Sequence, residues 1–151
     1  MSHAALSAEQ LSVVLPFLDL PDRSLLAPYL TELRLDPGAA LFGVEDPVDG
    51  LWFLLEGRLA VRKINPLYGR AQVIALLDPG AMVGERALLG GGRHRAEVRA
   101  VASAHLVLLD RTALDRLALE QPEIYLSLLR RALVISGLRL DRVSERLAAV
   151  L

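Results

Sequence analysis

The sequence predicts a mainly β protein with flanking helices: a jelly-roll (double-stranded β-helix) barrel with N-terminal helices and a long C-terminal helix. Between residues 31 and 110, short apolar runs alternate with turn residues such as Pro-Gly, Asp-Gly and Tyr-Gly. Short, evenly spaced runs of this kind are typical of an antiparallel sandwich or barrel. Helical spacing of apolar residues returns from residue 111 to the end. We therefore predict an N-terminal helical segment (1–30), a barrel (31–110) and C-terminal helices (111–151).

The N-terminal segment carries the signals of two short helices. Ser7 and Gln10 have capping-box spacing ahead of an apolar run, which predicts a helix start. Pro16 and Pro21 are expected to interrupt that helix, because proline lacks the backbone N–H that a helix interior uses. A second helix is predicted over residues 22–30, where Pro28 shortens or kinks it. We expect this region to cover one end of the barrel.

The barrel region contains seven predicted strands. They cover residues 33–35, 40–42, 51–55, 59–64, 72–77, 96–101 and 106–109. Residues 65–69, Asn-Pro-Leu-Tyr-Gly, predict an exposed hairpin loop. Double-sheet jelly rolls leave a pocket between their sheets, so we expect a ligand site there.

The C-terminal region predicts two helices, of which the second can form a coiled coil. Thr112 and Asp115 suggest a capping box, and Pro122 suits the first turn of the second helix. Apolar and small residues then recur at alternating steps of four and three, a set that we call the seam: Leu129, Leu133, Ser136, Leu140, Val143, Leu147 and Val150. The seam favours pairing of two chains, and packing on the protein's own barrel is the alternative. Gly137 is expected to be a hinge or a close contact.

Residues 83–100 carry the chemistry of an anion site. Gly84 lets the backbone approach a ligand, and residues 85–89 predict one helical turn whose first amides are free to bind an anion. The triple glycine 90–92 can fold tightly around a bound group, since glycine adopts angles closed to other residues. This combination predicts a phosphate-binding loop.

Three basic side chains follow the glycines, namely Arg93, His94 and Arg95. A period-two pattern comes next, with Ala96 on the apolar, inward face. Extended backwards, the same alternation places His94 inside and Arg95 towards solvent. The two arginines either reach the phosphate from either side of His94 or form a solvated pair.

The whole stretch resembles the phosphate-binding cassette of the cyclic nucleotide-binding domain family, of the catabolite activator protein and protein kinase A regulatory subunit type. The residues in register are Gly84, Glu85, Ala87, Leu88, Ala96, Val98 and Ala100. Residues 51–57 resemble the family's aromatic strand ending in glycine, and 78–80 resemble the turn before the cassette. The resemblance implies a cyclic AMP or cyclic GMP ligand and no required cofactor. The ligand-binding residues that it implies are Gly84, Glu85, Arg86, Ala87, Arg93, His94, Arg95 and Ala96.

Three positions depart from the family's pattern. His94 stands where the family has its phosphate-binding arginine, Glu97 where serine or threonine is common, and Glu45 where glycine is usual. Loss of a bidentate charged contact costs roughly 1.5–3 kcal/mol. By resemblance, Glu85 would accept a hydrogen bond from the ribose 2′-hydroxyl, and protonated His94 would donate to a phosphate oxygen.

Two functional hypotheses follow from the resemblance. The first is a stand-alone regulatory module that binds cyclic nucleotide and signals to an unidentified effector through movement of the C-terminal helices. The second is a degenerate fold that no longer binds nucleotide and serves in dimerisation or protein docking. A homodimer through the C-terminal helix is expected in either case, and neither hypothesis is an enzyme.

Composition excludes several other classes. The chain has no cysteine, so it forms no disulfide or thiolate metal site, and its net charge of −1 gives no general attraction to DNA or membranes. The first eight residues lack signal-peptide features, which predicts a cytoplasmic protein without membrane contact. The sequence ends at Leu151, leaving no room for a winged helix, so direct DNA binding is not expected. His3, His94 and His105 are scattered, which argues against a metal-dependent jelly-roll enzyme.

Overall fold

The computed structural model describes residues 5–151 as two four-stranded antiparallel sheets with two helices before and two after them. The strands are β1 (Thr31–Leu35), β2 (Ala40–Phe42), β3 (Gly50–Glu56), β4 (Leu59–Ile64), β5 (Ala71–Leu77), β6 (Met82–Val83), β7 (Glu97–Ala100) and β8 (Ala104–Asp110). One sheet has the order β1-β8-β3-β6 and the other β2-β7-β4-β5. The predicted mainly β jelly roll with a long C-terminal helix is confirmed.

The first and last residues of the strands depend on pairing with neighbouring strands as well as on the hydrophobic pattern. β2 and β4 have the predicted bounds, whereas β8 extends beyond the predicted 106–109 because it pairs with both β1 and β3. The two-residue strand β6 was not predicted. It forms because Val83 and Met82 pair with Trp52 and Phe53 of β3, a contact that no local pattern reveals.

The N-terminal helices are α1 (Ala8–Val14) and α2 (Leu20–Leu26), followed by a 3₁₀ turn (Ala27–Tyr29). The capping box of Ser7 and Gln10 is confirmed. The predicted start of the second helix at residue 22 was wrong. Asp19 caps it by accepting a 2.9 Å hydrogen bond from the Asp22 amide, and Pro21 lies in the first turn, where no N–H is required.

The C-terminal helices are α3 (Arg111–Glu120) and α4 (Pro122–Val150). The predicted Thr112 cap was wrong, because Asp110 at the end of β8 accepts a 2.8 Å hydrogen bond from the Ala113 amide. Pro122 lies in the first turn of α4, as predicted. An added Cβ at Gly137 would meet no atom within 4 Å, so this glycine marks no close contact.

The hydrophobic core has two parts, one on each face of β3. Leu51, Phe53 and Leu55 point to the helices, where they pack with buried residues of α1, α3 and α4. Trp52 and Leu54 point the other way, towards the second sheet. The alternation follows from the period of two in a strand, and it explains why the whole run from residue 51 to 55 is apolar.

Helix α4 packs in the hydrophobic core through its first half. Ile124, Leu128 and Ala132 are buried in the helical part of the core. From residue 133 onwards the seam is exposed: Leu133 is 75% and Leu140 65% exposed. Leu133 and Leu140 therefore do not pack on the protein's own barrel, whereas Val143 faces the sheet β2-β7-β4-β5 across a cavity. None of the helices in residues 5–151 combines the length and apolar character needed to cross a bilayer.

Candidate functional site

A cavity of about 500 Å³ lies between the sheet β2-β7-β4-β5, the predicted cassette and the second half of α4. Its floor is apolar, formed by side chains such as Phe42, Val61 and Leu77. Six of the predicted ligand-binding residues line it, namely Gly84, Glu85, Arg86, His94, Arg95 and Ala96. The volume falls in the range of small-molecule sites in proteins.

Gly84 sets the direction in which the cassette leaves β6. Its φ of +80° lies in the left-handed region, and a Cβ at this position would come within 2.8 Å of the Gly50 carbonyl oxygen. No other residue fits this position without strain. Directly after it, the predicted helical turn is present as a 3₁₀ turn, Glu85–Leu89, which places the Glu85 side chain at the cavity.

The triple glycine closes the cassette against the loop that follows β2. All three glycines have φ between 95° and 99°, as their sequence predicted. The Val48 amide donates to the Gly92 carbonyl at 2.9 Å, and the His94 amide donates to the Asp46 carbonyl at 2.9 Å. These bonds carry the chain back into β7 with the His94 side chain turned inwards.

Glu45 adopts the backbone conformation that glycine would adopt most easily. It is the one non-glycine residue among residues 5–151 with a positive φ, +70°. A left-handed conformation costs roughly 1–2 kcal/mol for an L-residue, which explains why a glycine suits this turn. Arg93 supports the turn, since its Nη1 donates to the Glu45 carbonyl at 2.8 Å. Arg93 consequently lies outside the cavity lining, unlike the prediction.

His94 is buried, with 6% of its surface exposed, and stacks on Phe42 with ring centroids 3.5 Å apart. Burial lowers the pKa of His94 below its usual 6.5, and Arg86 acts in the same direction. The carboxylates of Asp46, Asp49 and Glu85 oppose that shift. Since burial dominates, the imidazole is mainly neutral at pH 7 in the absence of ligand. Arg95 is exposed beside it, so the predicted inward and outward alternation is confirmed.

Glu85 is joined to the C-terminal helix by Arg139. Arg139 Nη1 donates to Glu85 Oε1 at 2.9 Å, and its Nη2 donates to the Met82 carbonyl at 2.9 Å. The ion pair is partly exposed, with side chains 37% and 28% accessible. Such pairs contribute about 0.2–1 kcal/mol, so the tie between helix and cassette is direct but weak.

A second arginine ties α3 to the cassette. Arg111 Nη2 donates to the Ala87 carbonyl at 2.7 Å, while the Ala87 side chain is 1% exposed and packs in the helical part of the core. Ala87 was predicted to bind ligand, but it lies outside the cavity lining. Its observed role is to anchor the cassette turn.

Glu97 is neutralised within its own sheet. Its carboxylate accepts hydrogen bonds from Arg99 Nε at 3.0 Å and from Arg62 Nη1 at 2.9 Å. The Arg99 hydrogen bond is the main cause of the lowered pKa of Glu97. The side chain does not line the cavity, so this departure from the family's pattern places no negative charge in the site.

Sequence reasoning missed the contribution of α4 to the site. Arg139, Arg142, Val143 and Arg146 line the cavity, and Lys63 does so from β4. The local signal was the recurrence of arginine at steps of three and four, which places the three arginines on one helix face. Only the tertiary fold shows that this face meets the cassette.

The structure offers no grouping of metal ligands in residues 5–151. His105 is buried, and its Nε2 lies 2.8 Å from Glu32 Oε1, so this histidine pairs with a carboxylate across β1 and β8. His3 lies outside the described residues.

Comparison with known proteins identifies the family. The model of the cyclic nucleotide-binding domain matches residues 32–121, which include β2 to β8, the cassette and all of β1 except its first residue. The chain belongs to this family. The predicted resemblance is therefore confirmed.

Relatives and solved structures agree with this assignment. The chain is 27% identical over 111 residues to a CRP-like cAMP-activated global transcriptional regulator of Mycobacterium tuberculosis, covering 74% of this chain and 47% of the relative. It is similar to the catabolite activator protein of Thermus thermophilus, with a TM-score of 0.71 and 27% identity over 88% of this chain and 63% of that one. A cyclic nucleotide-binding domain from Methylobacillus flagellatus shares the fold, with a TM-score of 0.86 at 23% identity over 95% of this chain and 85% of that one. The chain thus spans about half of the mycobacterial relative.

Proposed function

We propose that the chain is a regulatory module that binds a cyclic nucleotide such as cyclic AMP or cyclic GMP and signals through its C-terminal helix. The observation that carries this proposal is the Arg139–Glu85 contact, which brings α4 to the cassette of a cyclic nucleotide-binding domain. The ligand and helix α4, which carries the signal, therefore meet in the same cavity. The module regulates an unidentified effector and performs no catalysis itself.

The ligand's phosphate binds at the cassette in this proposal. Arg95 supplies a permanent positive charge, and His94 supplies a donor fixed by its stack on Phe42. Glu85 accepts a hydrogen bond from the ribose 2′-hydroxyl. The base lies against the apolar floor, where aromatic and aliphatic side chains exclude water.

Signalling follows from competition for Glu85. The ribose hydroxyl and Arg139 both use this carboxylate, so a bound nucleotide changes the contact that holds the second half of α4. One ion pair and one hydrogen bond are worth about 1–3 kcal/mol together, which matches the usual size of coupling between two sites. A ligand can therefore shift the helix between two arrangements.

The alternative is a degenerate domain that docks protein partners without binding nucleotide. His94 favours it, because a buried, mainly neutral imidazole replaces the arginine that the family uses for phosphate. A cavity with many basic side chains and a neutralised Glu97 favours the nucleotide-binding module instead.

Calorimetric titration with cyclic AMP and cyclic GMP tests the proposal, with 5′-AMP as the non-cyclic control. Binding is expected at micromolar strength for a cyclic nucleotide and not for 5′-AMP. Because a bound phosphate favours protonated His94, its pKa rises in the complex, and affinity falls as the pH increases from the lowered pKa of the free protein to the raised pKa of the complex. His94→Arg is expected to tighten binding about tenfold and to remove this dependence.

The outcomes separate the two functions. Absence of binding for both cyclic nucleotides would favour the docking module. Binding that changes neither with pH nor with His94→Arg would show that His94 does not contact the phosphate.

We further propose that the seam of α4 pairs with a second copy of the chain. Its exposed apolar residues outside the cavity, Leu140, Leu147 and Val150, keep heptad spacing and are between 56% and 83% exposed. A second identical helix offers the matching seam, since a two-fold dimer presents the same surface on both sides.

Sedimentation velocity tests this pairing. The unaltered chain is expected to sediment as a dimer and the double variant Leu140→Glu, Leu147→Glu as a monomer, because four charges would be buried in the seam. Leu119→Glu, at an 86% exposed position on α3 away from the seam, is the matched control and should leave the dimer intact. A monomeric unaltered chain at every concentration would refute the proposal.

A further inference from the structure

The cavity holds far more positive charge than one cyclic phosphate can neutralise. It is lined by six basic side chains, Lys63, Arg86, Arg95, Arg139, Arg142 and Arg146, and by one carboxylate, Glu85. The chain as a whole has a net charge of −1, so positive charge is concentrated at this site. A cavity lined by one sign of charge raises the local concentration of oppositely charged ligands.

Most of these basic side chains have no acidic partner. Arg139 pairs with Glu85, whereas the remaining five form no ion pair with any carboxylate in residues 5–151. Outside the cavity, in the same described residues, Arg58, Arg62, Arg99, Arg111 and Arg116 pair with carboxylates and six other arginines do not, so the cavity is distinguished by five unpaired basic side chains gathered in one place. Unpaired like charges repel each other, so the cavity is stabilised when an anion enters it.

The unpaired charges come from separate elements of the fold. Arg86 and Arg95 belong to the cassette, whereas Arg142 and Arg146 lie one turn apart on α4. Two arginines at a spacing of four repel each other on an isolated helix, yet both line the cavity. A phosphate at the cassette neutralises Arg86 and Arg95. Arg142 and Arg146 on the helix then remain available for a second anionic group.

We propose that the cavity binds a nucleotide carrying two separate phosphate groups, one at the cassette and one at Arg142 and Arg146. This inference rests on the proposed nucleotide-binding function and names the ligand's chemical class. Cyclic dinucleotides and linear nucleoside 3′,5′-bisphosphates share this chemistry. Arginine suits it, because its planar guanidinium binds phosphate oxygens in pairs.

The volume and walls of the cavity accept such a ligand. About 500 Å³ is available, and Phe42, Ile74 and Leu76 provide apolar surface for a base. The helical wall is held at Arg139 by its two hydrogen bonds, while Arg142 and Arg146 are exposed and free to close on the second phosphate. Closure would draw the second half of α4 towards the cassette.

Parallel titrations of the full chain with cyclic AMP, cyclic di-AMP, adenosine 3′,5′-bisphosphate and inorganic pyrophosphate test the inference. At least one two-phosphate nucleotide is expected to bind about tenfold or more tightly than cyclic AMP. The double variant Arg142→Gln, Arg146→Gln should reduce that ratio to about one. Arg130→Gln, on an exposed part of the same helix outside the cavity, should keep the ratio. Comparing the titrations with cyclic di-AMP and with adenosine 3′,5′-bisphosphate shows whether the ligand is a cyclic dinucleotide or a linear bisphosphate.

Three results would overturn the inference. Equal affinity for cyclic AMP and both two-phosphate nucleotides would refute it and leave the proposed cyclic nucleotide module intact. Pyrophosphate binding as tight as that of the nucleotides would show attraction of anions without nucleotide recognition. Failure of every nucleotide to bind would refute both the inference and the proposed function.

Discussion

Gly57→Ala is expected to destabilise the fold by about 3–5 kcal/mol, the largest effect of any substitution considered. Gly57 has a φ of +94°, and a Cβ there would overlap the carbonyl oxygen of Ser103 and lie 2.8 Å from the Cα of Ala104. Backbone strain costs roughly 1–3 kcal/mol and forced overlap a similar amount. Neither neighbour is a flexible side chain, so the turn between β3 and β4 must move.

Gly38→Ala is the matched control for this substitution. Gly38 has a similar φ of +85°, but its added Cβ would meet no atom within 4 Å. Gly38→Ala should therefore lower the free energy of unfolding only by the cost of backbone strain, about 1–2 kcal/mol. Urea unfolding of the two variants and the unaltered chain measures the difference. Equal losses would show that the Ser103 backbone gives way and that overlap contributes little.

Glu85→Ala is expected to weaken cyclic AMP binding about 10- to 100-fold. The substitution removes the carboxylate that accepts the ribose hydroxyl in the proposed complex, and a hydrogen bond to a charged group is worth about 1.5–3 kcal/mol. Circular dichroism controls for folding, which should persist because the Glu85 side chain is partly exposed. Unchanged affinity in the folded variant would place the ribose elsewhere.

Arg139→Gln separates binding from signalling. It removes the helix side of the Arg139–Glu85 contact but leaves Glu85 in place. Its loss of affinity should be smaller than that of Glu85→Ala, whereas the ligand's effect on hydrogen exchange of backbone amides 136–146 should disappear. A ligand response of α4 that persists in Arg139→Gln would show that coupling uses another route, such as Arg111 with Ala87 and the packing of α3 on α4.

The order of the elements and the cassette could be predicted from sequence because both have local signatures. Period-two apolar runs marked the strands, and the spacing from Gly84 to Ala96 marked the cassette. The triple glycine predicted positive φ values, and the structure has them. Strand periodicity, cassette spacing and glycine conformation depend on each residue and its neighbours along the chain, so they can be read from the sequence.

The capping of α3 and the short strand β6 escaped prediction for a common reason. Asp110 and Thr112 are both acceptable caps by residue type, and the end of β8 decided between them. β6 exists because β3 lies beside it. In both places the outcome depends on how strands pair across the sheet, and the spacing of residues in the sequence does not show that pairing.

The sequence by itself determined the family, the jelly roll and the position of the phosphate-binding loop. Only the tertiary structure placed Arg139, Arg142 and Arg146 at the same cavity as Glu85, more than fifty residues away along the chain. It also turned Arg93 and Ala87 away from that cavity and neutralised Glu97 with Arg62 and Arg99. The physical reason is that charge acts through space, so a side chain's role depends on which partner the fold brings within hydrogen-bond distance.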